Sequence, residues 1–197
     1  MKAKNKLANI SSIEELEKWL SDQKIELHLW NCGNAKSLEN LFNEIIEGDC
    51  SIQLNPPMRI INAVQVLIFR SQSLLVELEQ EMIDDRTRKR NLPPSEKMKP
   101  GEDCKEAAIR CLVEELQLSQ DEIKILTEEC KPFIRYRKSR SYPGLKTKYY
   151  VYRVQAQVDQ LPEGNFWSKE KESEEHADIV RRHYWGWSPS KNIKYPD

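Results

Sequence analysis

Apolar residues recur at helical spacing in three places along this chain, and alternate or run together in several others. Ile13, Leu16, Trp19 and Leu20 fall on one side of a helix that Ser12 and Glu15 open as a capping box. Residues 25–30, Ile-Glu-Leu-His-Leu-Trp, alternate as a half-buried strand does, with His28 opposite its leucine neighbours. Gly33-Asn34 marks a turn. Ser37 then caps a second helix with Leu38, Leu41, Phe42, Ile45 and Ile46 inward, and Gly48 stops it. Residues 1–55 therefore read as a small α-β-α extension that carries no chemical motif, and 56–197 as the main domain.

Pro56-Pro57 separates the two. Ile60 to Phe69 is rich in Ile and Val, and Leu74 to Gln80 pairs back on it as a hairpin across a tight connection. Residues 84–101 are polar and proline-rich, which predicts a long loop, either a lid or a linker. A third helix follows Pro100-Gly101. Its apolar stripe is Cys104, Ala107, Ala108, Cys111, Leu112 and Leu116. Ile123 to Leu126 is a short strand or helix end. Pro143-Gly144 suits the centre of a type II turn joining 132–141 to 147–158, and residues 181–188 read as a final strand.

Two acids disturb the third helix. At about 100° per residue Glu115 falls near the middle of the apolar arc and Glu114 on its edge. An unpaired buried charge costs several kcal/mol, so an inward acid needs a cation, a donor or water. A site for a hard divalent cation is one answer. A last turn that leaves the core, with both acids solvated or paired to Lys or Arg, is the plainer one, and periodicity alone favours it.

Composition narrows the class. The chain has 197 residues and a formal net charge of -1, so global charge selects neither nucleic acid nor membrane. Its five cysteines show no Cys-x-x-Cys spacing, so neither a disulfide framework nor a zinc site is indicated. Cys104 and Cys111 stand roughly 10 Å apart along one helix, beyond the ~7 Å reach of a bridge. A reducing, cytoplasmic setting is the expectation, with no membrane span and no secretory leader. Local charge is less even. From Lys131 to Val158 there is no acid, and Lys131, Arg135, Arg137, Lys138, Arg140, Lys146, Lys148 and Arg153 are interleaved with tyrosines. A nucleotide, RNA or an acidic protein could visit such a surface, although cations also protect hairpin edges from aggregation.

The stretch Pro-Gly-Glu (100–102), Glu-Ala-Ala-Ile-Arg (106–110) and Glu-Glu (114–115) resembles the signature of the Nudix hydrolase family, G-x5-E-x7-R-E-U-x-E-E-x-G-U, with U aliphatic. In register, Glu102 takes the first Glu, Arg110 the Arg, Leu112 and Leu118 aliphatic positions, and Glu114 and Glu115 the paired acids. Glu96, Cys111 and Gln117 stand where Gly, Glu and Gly are expected. The resemblance covers roughly residues 58–190. It implies a Nudix-like α/β/α sandwich with a mixed sheet. It also implies Mg2+ or Mn2+ on Glu114 and Glu115, with Glu102 and Arg110 ordering the loop and helix around them as the remaining catalytic positions. Arg135, Arg137 and Lys148 are the candidate substrate contacts. A late acid, from among Glu170, Glu172, Glu174, Glu175 and Asp178, often completes such a site in the family. Two functions stay open. One is a Mg2+-dependent hydrolase of a nucleoside-diphosphate-linked substrate with a weakened metal site. The other is a catalytically inactive module that binds a nucleotide, RNA or a protein assembly through the 131–153 hairpin. His176 and His183 have no spacing that suggests nucleophilic catalysis.

Overall fold

A computed structural model describes residues 7–33, 35–169 and 180–189. The late acids 170–178, and His176 among them, lie outside the described residues. In chain order the elements are α1 (Ile13–Asp22), a 3-10 turn (Leu27–Leu29), α2 (Leu38–Ile46), β1 (Ser51–Gln53), β2 (Met58–Arg70), β3 (Ser73–Met82), β4 (Thr87–Leu92), β5 (Ser95–Lys97), α3 (Cys104–Leu116), a 3-10 turn (Gln120–Glu122), β6 (Lys124–Ile125), β7 (Pro132–Lys138), β8 (Lys146–Gln157), β9 (Phe166–Lys169) and β10 (Val180–Pro189). The architecture is α/β, a sheet with flanking helices. Among the described residues no helix is long and apolar enough to cross a membrane.

The chain divides into two compact units. One takes the residues up to Ala63, Lys99–Gly101 and Phe133–Val151. The other takes Val64–Met98, Glu102–Pro132 and the chain from Tyr152 onward. The division falls inside β2 and inside β8.

In the first unit, α1 and α2 form as their spacing predicts, each opened by its serine: Ser12 caps α1, and Ser37 with Asn40 makes a capping box on α2. Leu16, Leu20 and Leu41 are fully buried and pack with Trp30, Ile52, Tyr142 and Leu145. The expected strand at 25–30 does not form. Lys24 takes a left-handed conformation at φ 60°, and the Ile25 amide bonds back to the Leu20 carbonyl at 3.0 Å. That closes α1 and turns the chain into the 3-10 turn, so the alternation of 25–30 belongs to a wrapped cap and not to a sheet. Trp30 then folds inward and donates from Nε1 to the Pro143 carbonyl at 2.8 Å. A buried ion pair of Glu44 and Arg59 sits under Tyr142, whose hydroxyl donates to Glu44 at 3.0 Å. Gly144 has φ 84°, as the third residue of a type II turn requires. At Gly48 a Cβ would fall 2.1 Å from Pro100 Cγ, so the residue that ends α2 also seats the Pro100-Gly101 turn.

In the second unit the sheet runs β6-β8-β2-β3-β10-β9, with β4 on β3 and β5 on β2. The hairpin of β2 and β3 pairs Phe69 with Leu74. The whole predicted stripe of α3, from Cys104 to Leu116, is buried against Val64, Val66, Ile68, Leu75, Val154 and Trp185. Residues 84–101 are not one loop, since β4 and β5 form inside them. Cross-strand charge explains β4: Lys89 lies opposite Glu79, and Arg90 Nε is 2.7 Å from Glu77. The cysteine expectation also needs correction. Cys104, at the start of α3, is bridged to Cys130, 26 residues on, with Cα atoms 6.5 Å apart. Cys111 stays free and buried. Sequence spacing is silent on such a contact because the intervening chain leaves α3 and returns.

Candidate functional site

The second unit gathers the signature residues around α3. Asp103 caps the helix, accepting from the Lys105 and Glu106 amides at 2.7 and 2.9 Å. One turn later Arg110 reaches back across the preceding loop. Its guanidinium holds Glu102 through two bonds, at 2.8 and 3.0 Å, and Glu114 at 3.1 Å. It also donates to the Lys97 carbonyl at 2.7 Å, which ties β5 to the helix. Burial disfavours the charge on Arg110, but hydrogen bonding and attraction to Glu102, then Glu114 and Glu96, hold its pKa above the ordinary range.

Glu114 and Glu115 part company. The Glu114 carboxylate is partly exposed and engaged by Arg110. Glu115 is buried, so the last turn of α3 stays in the core and the plainer expectation of two solvated acids fails for Glu115. Burial pushes its carboxyl well above the usual range. The nearby His183 opposes that shift, and Glu77 and Glu96 add to it. The Glu115 backbone carbonyl accepts from Ser168, which in turn accepts from Trp185 Nε1 at 2.7 Å. Cys111 lies one turn earlier, fully buried, and burial with the charges of Glu115 and Glu96 pushes its thiol pKa well up. It is held as a neutral thiol.

Beside these sits a set of groups that the sequence did not announce. His183 Nδ1 donates to Glu77, both buried, and the other Glu77 oxygen meets Arg90 at 2.7 Å. The His183 ring stacks on Trp185 with centroids 5.6 Å apart. The one local signal was an acid, Glu77, inside the apolar run Leu74–Leu78.

The first unit carries the candidate substrate contacts. Arg135 is half-buried, Arg137 is exposed, and Lys148 is buried with its ammonium 4.6 Å from the Tyr150 ring and 6.0 Å from the Tyr136 ring. Alternation along β7 places Tyr136 on the side opposite Arg135 and Arg137, so Lys148 does not share their face.

The NUDIX domain family model matches residues 59–189, more than half of the chain. This chain belongs to the Nudix family. No curated protein matches its sequence. Among solved structures it is similar to a C. elegans Ap4A hydrolase binary complex, at 20% identity and a TM-score of 0.36, covering 66% of this chain and 80% of that one. It is also similar to a NUDIX hydrolase from Nitrosomonas europaea, at 21% identity and 0.38, covering 64% and 72%. The E. coli ORF135 protein matches at 18% and 0.34, covering 52% and 69%.

Two departures from the Nudix signature take on structural meaning. Gln117 is the residue after α3 and adopts a left-handed conformation, φ 57° and ψ 32°. That is the geometry for which a helix end favours Gly. Glu96 lies in an ordinary strand, β5, where no glycine is required. The third departure bears on metal. Among the described residues no three His, Cys, Asp or Glu side chains converge as ligands to one ion. Glu114 is engaged by Arg110, and Cys111 offers soft sulfur where Mg2+ needs oxygen. Among the described residues, these side chains do not assemble a full ligand set for a hard divalent cation in this arrangement.

Proposed function

We propose that this chain is a Nudix-type module that binds a nucleoside-diphosphate-linked ligand, with its hydrolysis disabled at one position, Cys111. The supporting observation is the burial of that thiol on the inward face of α3, one turn from Glu115, at the position where the family signature has a carboxylate. A neutral thiol there supplies neither an oxygen ligand nor a base. The retained pieces support binding. Glu102 and Arg110 still lock the loop to the helix, and Arg135 and Arg137, on one face of β7, are the cations offered to phosphate.

The test is product release from a panel of nucleoside-diphosphate-linked compounds with Mg2+ or Mn2+, beside ligand binding by calorimetry. Wild type is expected to bind without turnover, and Cys111→Glu to gain turnover, with circular dichroism confirming that the variant folds. No gain in a folded Cys111→Glu, together with no binding by wild type, sinks the proposal.

A second reading keeps wild type as a slow metal-dependent hydrolase. The charges of Glu77 and Glu96 act against ionisation of Glu115 and favour this reading, because a bound cation would relieve that repulsion. Metal-dependent turnover by wild type that Glu115→Gln abolishes would select this reading.

A further inference from the structure

The outward face of the β7–β8 hairpin combines features that edge protection alone does not explain. Between Phe133 and Val151 the chain has six cations and no acid. Along β7, Ile134, Tyr136 and Lys138 alternate onto one face, and Lys146, Lys148 and Tyr150 of β8 share it, since the Lys148 ammonium lies over both tyrosine rings. The opposite face is the inner one, where Thr147 is fully buried and Tyr149 packs on the core.

Lys and Arg on an edge hairpin commonly guard against aggregation. That accounts for Lys138 and Lys146, which are exposed. It does not account for Tyr136 and Ile134, which leave 60% and 48% of their surface open to solvent. Nor does it account for Lys148, which is only 7% exposed and meets two aromatic rings, with no carboxylate paired to it among the described residues. A desolvated ammonium held by π-faces alone is incompletely compensated. An anion arriving from solvent would complete it.

The ligand chemistry follows from the combination. Cations call for phosphate, and an exposed phenol ring next to them calls for a flat base. An acidic peptide satisfies the first demand and leaves Tyr136 unused. A duplex hides its base faces, so only an unpaired strand meets both demands. We propose that this face binds single-stranded nucleic acid, with a base stacked on Tyr136, a phosphate at Lys148 and neighbouring phosphates on Lys138 and Lys146. This site lies apart in sequence from the α3 signature, and its test does not depend on the state of Cys111.

Fluorescence anisotropy with the full chain and a short labelled RNA of mixed sequence decides it, with DNA of the same sequence and a mononucleotide as parallel arms. Single-stranded RNA or DNA is expected to bind well above the mononucleotide. Tyr136→Ala weakens it roughly tenfold and Tyr136→Phe keeps it. Lys138→Ala with Lys146→Ala flattens the salt dependence by about 1.4 in slope, while Lys18→Ala on α1 changes nothing. Tyr136 is exposed, so its variants keep the fold and the assay stays informative even where Lys148→Ala does not fold. Three results overturn the proposal: no binding to either strand, affinity unchanged in Tyr136→Ala, or competition by polyglutamate as strong as by unlabelled RNA.

Discussion

Arg110 and Glu102 meet through two parallel hydrogen bonds, Nε to Oε1 at 2.8 Å and Nη2 to Oε2 at 3.0 Å. The fork matters because both groups are largely shielded, with side chains 19% and 12% exposed. A lysine cannot reproduce two donors in one plane. Arg110→Lys is therefore expected to cost about 2 kcal/mol. It also loses the bond to the Lys97 carbonyl that tethers β5. Chemical denaturation measures the loss. A variant as stable as wild type would mean that the pair is ornamental to the fold.

Gln117 gives a prediction of opposite sign. A non-glycine residue in the left-handed region carries a steric cost that glycine lacks. Gln117→Gly should raise stability by about 0.5–1 kcal/mol, less whatever the more flexible unfolded chain takes back. The variant also restores a letter of the family signature without touching Cys111. A rise in melting temperature with no change in hydrolysis is the expected pair of results.

These two residues mark where the sequence was readable. The stripe of α3 was legible because its contacts repeat every turn, and all six positions are buried. The same arc puts Glu115 near its middle, yet the plainer expectation is a last turn leaving the core, and the burial of Glu115 overturns it. The 25–30 segment was misread because a left-handed residue at Lys24 ends α1 by wrapping, which no alternation count registers. Thr87 to Leu92 looked like a loop because its residues are charged, and their partners are acids on β3. Glu77 and His183 are 106 residues apart, and Cys104 and Cys130 lie 26 apart across irregular chain. No local pattern encodes contacts of that kind. Only the fold brings them together.

The Cys104–Cys130 bridge fixes the first turn of α3 to the segment that leads into β7. Closing a loop of this length removes unfolded-state entropy worth about 3 kcal/mol on the chain-entropy view. Reduction, or Cys104→Ser with Cys130→Ser, should lower stability by that order. Cys111 is buried and should resist maleimide labelling in the folded protein under both conditions. Equal stability of oxidised and reduced protein would show that packing, not the bridge, holds this end of the helix.

Glu115 carries the pH dependence. Its folded pKa is raised above 4.5, chiefly by burial. A raised carboxyl binds its proton more tightly in the folded state, so folding is favoured most when the group is protonated in both states. That contribution is complete below the unfolded value and is lost as pH climbs through the folded one. Glu115→Gln fixes the neutral form. It should therefore be more stable than wild type at neutral pH, and the gap should close as pH falls toward 4.5. His183, Glu77, Glu96 and Arg90 act on Glu115 and are unchanged by the substitution, so the difference curve reports Glu115 together with its coupling to them. Thermal melts across the acid-to-neutral range give that curve. A variant less stable than wild type at neutral pH would show that Glu115 works as an ionised partner of His183, and the inward acid would then be a structural anchor.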